Sequence, residues 1–375
     1  LGKVNKRGAV KAERDSFRPC EPDPDNAGVG REYIRCTLLS NSRVFYFYGG
    51  IKMKKVLIFA MLCLTVMSFS RELTVYTYES MDWIEDHLIS QFEERENCKV
   101  KVITLGDGGN VLSRLILEKK RPQADVVVGL DQSMSVKAIE NDLLLKFVPS
   151  NLDNITNPDL IFDATGHVYP YDFGAIAIIT NPSEMKGTIH SFEALKELED
   201  ALIIQDPRSS STGQSFLLWT IAIYGENWQQ FWREIKPSIL TVTSGWSEAF
   251  SKFEAGEAPM MVSYATDGAY SVEYYGSTTY TTLIPDEGAY VQIEGAGIVK
   301  GTDDEILAGK FIEFLLSDEV QRDIPLNQWM FPVTDVEMPE SFDYAVKPEK
   351  ILSIDASEIG ENLEKWLDEW EQIMY

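Results

Sequence analysis

"ELTVYTYESMDWIEDHLISQFEERENCKVKVITLGDGGNVLSRLILEKKRPQADVVVGLD" (Glu72–Asp131) is the stretch whose reading decides the fold. "ELTVYTY" (Glu72–Tyr78) alternates and is rich in β-formers, which predicts a strand. "WIEDHLISQFEER" places Ile84, Leu88 and Phe92 at steps of four, the stripe of an amphipathic helix. "CKVKVITL" predicts the next strand, "NVLSRLILEKK" the next helix, and "ADVVVGL" a strand apolar on both faces. Strand–helix–strand–helix–strand with short connections implies a parallel sheet covered by helices. Ligands of such sheets sit at the carboxyl ends of the strands. Those ends are Tyr78–Ser80, Gly106–Gly109 and Gly129–Asp131.

The pattern returns downstream. "ALIIQDP" predicts a strand, "RSSSTGQSFLLWTIAIYG" a turn and helix, and "ILTVTSG" a strand. "WSEAFSKFEAG" then predicts a helix and "APMMVSYA" a strand. The strand ends of this second run lie at Asp206–Gly213, Ser244–Trp246 and Ser263–Tyr270. "YPYDFGAIAIITN" enters the second region and "YVQIEGAGIVKG" leaves it. "DEILAGKFIEFLLSDEVQRDI" reads as one long helical stretch. In "GENLEKWLDEWEQIMY", Leu363, Trp366, Trp370 and Ile373 share one helical face and are expected in the core. The expected class is α/β with two lobes, each a mostly parallel sheet flanked by helices, and a ligand cleft between them. The first lobe is expected to comprise residues 71–172 plus about 290–330, the second about 173–289 plus about 331–375. Hinge closure would bury a ligand in that cleft.

Charge narrows the partners. Lys and Arg number 34 against 59 Asp and Glu, a formal net charge of −25, so a phosphate backbone is repelled and nucleic acid is not an expected partner. "MKKVLIFAMLCLTVMSFS" (Met53–Ser70) has two lysines, a short apolar run and small residues at its end. It reads as a secretory signal cleaved after Ser70. The apolar run Val56–Met67 is short for a membrane span. Leu62 stands where a lipoprotein signal ahead of Cys63 would need a small residue. A signal in mid-chain implies translation from Met53, with residues 1–52 a non-native or disordered extension. With residues 1–70 removed, 22 basic and 53 acidic side chains remain, a net charge of −31. Cys98 is then the only cysteine, so no intrachain disulfide is expected.

"QDPRSSSTG" precedes a helix, so its hydroxyls and free amides can either cap that helix or hold an anion. "LGDGGNV" fails as a dinucleotide fingerprint because Val111 stands where the third glycine belongs. Asp107 remains as a carboxylate at a strand end. His87, His167 and His190 lack metal-ligand spacing, and no G-x-S-x-G elbow occurs. No metal, cofactor or catalytic residue is expected. Cys98 begins a strand, at the end away from the expected cleft.

The stretches "LTVYTYES", "ADVVVGLD", "DFGAIAI", "QDPRSSSTGQSFLLW", "VTSGWSEAFSKFEAGEAPMMVSYATDGAY" and "IPLNQWMFPV" together resemble the thiamine-binding receptors of bacterial ABC importers, over nearly all of the chain beyond Leu73. That resemblance implies a type II periplasmic-binding-protein fold and a non-catalytic, periplasmic, monomeric receptor. Such a receptor captures thiamine, and usually its phosphate esters, for an inner-membrane permease. Carried over by position, Tyr78 and Tyr270 would hold the aminopyrimidine between their rings. Trp246, Tyr264 and Trp329 would line the cleft around the thiazolium. Asp107 and Gly108 match an Asp-Gly pair of the family, and Ser209 and Ser210 match hydroxyl residues at the phosphate end. The chain departs from the family in its Ser-Ser-Ser-Thr-Gly run, which lacks a proline before the glycine, and in the additional Gly109.

The physical reading agrees. Thiamine is a flat aromatic with a fixed positive charge, and an aromatic face attracts a cation with about 0.5–2 kcal/mol. Stacking adds about 0.5–1.5 kcal/mol per pair. Two cargo alternatives share the fold: ferric ion, for which Tyr274-Tyr275 offer neighbouring phenols, and a polyamine. A third alternative is a thiaminase-like enzyme, which would need a cleft cysteine.

Overall fold

The computed structural model describes residues 71–86, 88–185 and 190–375. The expected signal segment 53–70 and the residues before it lie outside the described residues. The first run is β1 (Arg71–Thr77), α1 (Leu88–Glu96), β2 (Cys98–Thr104), α2 (Gly108–Glu118), β3 (Val126–Asp131) and α3 (Gln132–Glu140). After the short β4 (Leu144–Leu145), the long β5 (Val168–Thr180) leads into the second run. That run is β6 (Leu202–Gln205), α4 (Ser211–Tyr224), α5 (Trp228–Ile235), β7 (Ile239–Thr243), α6 (Trp246–Glu254), β8 (Met260–Tyr264) and α7 (Asp267–Tyr275). The chain returns through β9 (Thr281–Leu283) and β10 (Ala289–Val299) to α8 (Glu305–Leu315), α9 (Asp318–Gln321) and α10 (Ile324–Asn327). It ends with β11 (Phe331–Pro332), β12 (Ile351–Leu352) and α11 (Ala356–Met374).

The strands follow the order β2-β1-β3-β10-β5-β8-β6-β7. β1 pairs parallel with β2 and β3, and β6 pairs parallel with β7 and β8. Each run therefore places its first strand between the other two. β5 and β10 pair antiparallel with each other and join the two parallel sets. Their register slips between Glu294 and Gly295, a bulge that bends β10 midway.

Two large apolar cores result. One gathers Leu73, Val75, Phe92, Val126–Val128 and Ile298 with Phe311 and Phe314 of α8. The other gathers Ile176, Ile178, Leu202, Trp219, Trp232, Val262 and the inner face of α11. The amino-terminal half of β5 belongs to the first core and its carboxyl-terminal half to the second. β10 does the same in reverse.

Leu363, Trp366 and Trp370 are buried as their spacing predicts, with Ile373 partly buried against them. Trp370 meets Trp232 edge-on at 5.8 Å. Replacing Trp370 with alanine is expected to lower stability by about 3–5 kcal/mol, since the cavity left in a packed core relaxes only in part. Urea denaturation would measure this. Trp370 is remote from the cavity described below, so a comparable loss of ligand affinity would contradict the assignment to the core.

Two predicted elements differ. The helix expected over Trp83–Arg95 begins only at Leu88, after a 3₁₀ segment at Glu79–Glu85. Met81 and Ile84 are both buried there, and a spacing of three stacks them in a 3₁₀ turn. The stretch Asp304–Ile324 breaks after Leu315. Ser317 donates its hydroxyl to the Phe314 carbonyl at 2.7 Å, a local bond that competes with continued helix.

Candidate functional site

The carboxyl ends of β1, β2, β6, β7 and β8 open on a cavity of about 540 Å³, within the range of small-molecule sites. Six aromatic rings line it: Tyr78, Trp246, Phe250, Tyr264, Tyr270 and Trp329. Five carboxylic side chains line it as well: Glu79, Asp82, Asp107, Asp267 and Glu294. No lysine, arginine or histidine is among the described residues that line it.

One wall is a chain of aromatic contacts. Trp246, at the start of α6, stacks on Phe250 one turn later at 4.7 Å, and its indole N–H donates to Ser263 Oγ at 2.9 Å. Phe250 meets Tyr270 edge-on at 5.1 Å, and Tyr270 meets Trp329 edge-on at 5.0 Å. Trp329 holds a positive φ of 58°, uncommon for a bulky residue and a mark of a constrained backbone. Tyr270 lies within α7 and not at the end of a strand, where the sequence placed it. Asp267 and Gly268 open that helix directly after β8, and a Cβ at Gly268 would stand 2.4 Å from the Tyr344 carbonyl oxygen.

The acids stand among these rings and the remaining tyrosines. Tyr78 is buried, its hydroxyl donating to Glu294 and lying 3.0 Å from that of Tyr171. Gln328 Nε2 donates to the Tyr78 hydroxyl at 2.6 Å. Tyr264 OH lies 2.9 Å from Thr212 Oγ1 and donates to Gln292 Oε1 at 3.3 Å. Asp267 is 2 % exposed, and its Oδ2 has no hydrogen-bond partner among the described residues. Burial pushes its carboxyl up to about 7.

Asp107 caps α2 and reaches further. Its Oδ1 accepts from the Gly108 and Ser211 amides at 2.6 and 3.0 Å and from Ser211 Oγ at 3.2 Å. Its Oδ2 accepts from Ser210 Oγ and the Trp246 amide, both at 3.0 Å. One carboxylate thus occupies the amino-terminal ends of α4 and α6, where the orphan N–H groups and the helix dipoles favour an anion. Gly109 permits this approach, since a Cβ there would lie 2.6 Å from the Ser209 carbonyl oxygen.

The structure thus brings Tyr78, Asp107, Trp246, Tyr264, Tyr270 and Trp329 together around one cavity. Gly108, Ser209 and Ser210 do not line it. Gly108 packs against Gly129, Met134 and Ser211, Ser209 Oγ donates to the Ser244 carbonyl at 2.7 Å, and Ser210 serves Asp107. Sequence reasoning missed Phe250, Asp267 and Glu294. A carboxylate inside the otherwise apolar "YVQIEGAGIV" was the available signal for Glu294, because acids are seldom buried without purpose. Tyr274 and Tyr275 do not line the cavity, and Tyr275 OH donates to Glu254. Cys98 is buried at the first residue of β2, and burial pushes its thiol up, away from the thiolate a nucleophile requires.

Known proteins are similar to this chain in sequence and backbone. The profile of the bacterial extracellular solute-binding protein family matches residues 77–322. The thiamine-binding periplasmic protein of Salmonella typhimurium is 34% identical over 325 residues, covering 85% of this chain and 98% of the relative. That of Brucella melitensis is 35% identical over 307 residues, covering 80% and 91%. A solved structure described as a periplasmic thiamin binding protein superposes with a TM-score of 0.77 at 32% identity, covering 82% of this chain and 98% of the other. By profile, sequence and backbone alike, the chain belongs to the bacterial extracellular solute-binding proteins, in the group of the thiamine-binding periplasmic proteins.

Proposed function

We propose that this protein is a periplasmic receptor that captures thiamine in the aromatic and acidic cavity and delivers it to an ABC importer. It binds and releases its cargo unchanged and is not an enzyme. The observation that carries the reading is the lining itself, six rings and five carboxylic groups with no basic side chain among the described residues. A flat cationic aromatic meets ring faces and negative charge in the same cavity. Two lobes, built on the two apolar cores and joined by β5 and β10, would close on it. Tyr78, Trp246, Tyr264, Tyr270 and Trp329 are assigned to the ligand rings, and Asp267 to its positive charge. Ser210 and Gly108 support Asp107 at the helix termini, and Ser209 ties its loop to the Ser244 carbonyl.

Thiamine phosphates are a further cargo only where the ester group can share or take over the helix termini that Asp107 fills. Calorimetric titration of protein stripped by denaturation and refolding, with thiamine, its monophosphate and its pyrophosphate, tests the reading. One-to-one binding with quenching of tryptophan emission is expected for thiamine, since Trp246 and Trp329 line the cavity. No heat and no quenching with all three would overturn it.

A further inference from the structure

Glu294, which lines the cavity, belongs to a buried pair of acids. Glu294 of β10 stands directly opposite Asp172 of β5 in the antiparallel register, at the bulge that bends β10. Directly opposed residues on neighbouring strands hold their side chains within contact distance. Both are buried, Asp172 at 0 % and Glu294 at 2 % exposure.

Their hydrogen bonds differ. Glu294 accepts from the Tyr78 hydroxyl, from the Tyr171 hydroxyl at 3.2 Å and from Gln292 Nε2 at 2.9 Å. Neither oxygen of Asp172 has a partner among the other described groups, which leaves Glu294 as the group it faces. Three donors favour the ionised form at Glu294, whereas Asp172 is satisfied only as a protonated donor to Glu294. Two carboxylates in one dry site cannot both ionise. Burial pushes both carboxyls upward, with Glu294 adding to it at Asp172, and Asp131 and Asp107 adding to it at Glu294.

The surroundings supply no relief. Tyr78 faces Glu294 from the end of β1, Tyr171 and Asp172 from β5, Tyr264 from β8, Asp131 from the end of β3, and Asp107 from the start of α2. Asp267 lies in the same cavity with an unpartnered, buried oxygen, an independent sign that a positively charged group belongs there.

We propose that the Asp172–Glu294 pair couples cargo capture to proton release: a cation entering the cavity takes the place of the proton on Glu294, and Asp172 keeps the one that remains. The inference rests on the cargo being a cation, as thiamine is. The empty pair carries two protons on the acid side of neutrality, and the occupied pair carries one, donated from Asp172 to the ionised Glu294. The displaced proton goes to solvent, and the charge of the pair is balanced by the ligand. Affinity therefore falls with acidity, by up to about tenfold per pH unit for one proton released.

Thiamine titrations at pH 7.5, 6.5 and 5.5, in buffers of contrasting ionisation enthalpy, would count the protons released. Net release is expected at the lower pH values. Asp172→Asn exchanges one neutral donor to Glu294 for another, so this variant is expected to keep the pH profile of the wild type. Glu294→Gln is expected to lower the count by one proton, leaving the share that Asp267 releases, and to weaken binding at pH 7.5. Tight binding with no proton release, release undiminished in Glu294→Gln, or an Asp172→Asn profile flatter than that of the wild type would overturn the coupling alone. Absence of thiamine binding at every pH would overturn the cargo reading and the coupling with it.

Discussion

Asp267→Asn is expected to weaken thiamine binding by two to three orders of magnitude while stabilising the empty protein. The wild-type carboxylate is buried with Oδ2 unpartnered, so it is held ready for a positive charge. Removing one member of a buried charge pair costs about 3–5 kcal/mol, and 1.4 kcal/mol is tenfold in affinity. The empty protein responds in the opposite sense. With a folded value of about 7, above the ordinary range for aspartate, the folded state binds more protons than the unfolded state between about pH 4 and pH 7. Wild-type stability therefore declines as pH rises through that window, and the penalty is fully present above it. At pH 8 the asparagine variant escapes this penalty and should gain about 1–2 kcal/mol. Urea denaturation and calorimetric titration on one preparation would test both signs. Unchanged affinity would remove Asp267 from the binding site.

Asp107→Ala is expected to weaken free thiamine by about a hundredfold and to weaken thiamine monophosphate distinctly less. The five donors that Asp107 satisfies come from Gly108 on its own helix and from Ser210, Ser211 and Trp246 across the cavity. Without the carboxylate, the amino-terminal ends of α4 and α6 lose the anion that offsets their dipoles. A charge-assisted hydrogen bond contributes about 1.5–3 kcal/mol, so the occupied conformation loses several contacts of that size in part. A phosphate group presents acceptor oxygens and negative charge to the same N–H groups and restores some of the loss. Parallel titrations of the two ligands against wild type and variant would measure the change in their ratio. An unchanged ratio would show that the phosphate does not reach these termini, and that Asp107 acts as a tie between the two sides and nothing more.

Local pattern carried much of this. Alternation in "ELTVYTY" and the four-residue steps of Ile84, Leu88 and Phe92 record which face is buried, and burial of a face is a property of neighbours along the chain. A strand–helix run brings its strand ends to one side, so Tyr78, Asp107, Trp246 and Tyr264 were legible as cavity residues. Trp366 and Trp370 were legible as core because their spacing fits one helical stripe. Tyr270 was assigned to the cavity from the family resemblance but to the wrong element. "TDGAY" reads equally as the end of a strand or the start of a helix until Gly268 is seen against Tyr344.

What the sequence by itself determined is the parallel α/β framework, the acidity and most of the aromatic lining, because these follow from periodicity, composition and strand-end position. Only the tertiary structure decided which carboxylate meets which partner. Asp172 and Glu294 face each other through the register of β5 and β10, across a separation that no local pattern records. Asp107 meets the terminus of α4 because Gly108 and Gly109 let backbones approach, and that of α6 because Gly245 carries no Cβ to block it. The charge state of the cavity depends on those meetings, since a carboxyl group takes its proton affinity from what surrounds it in space.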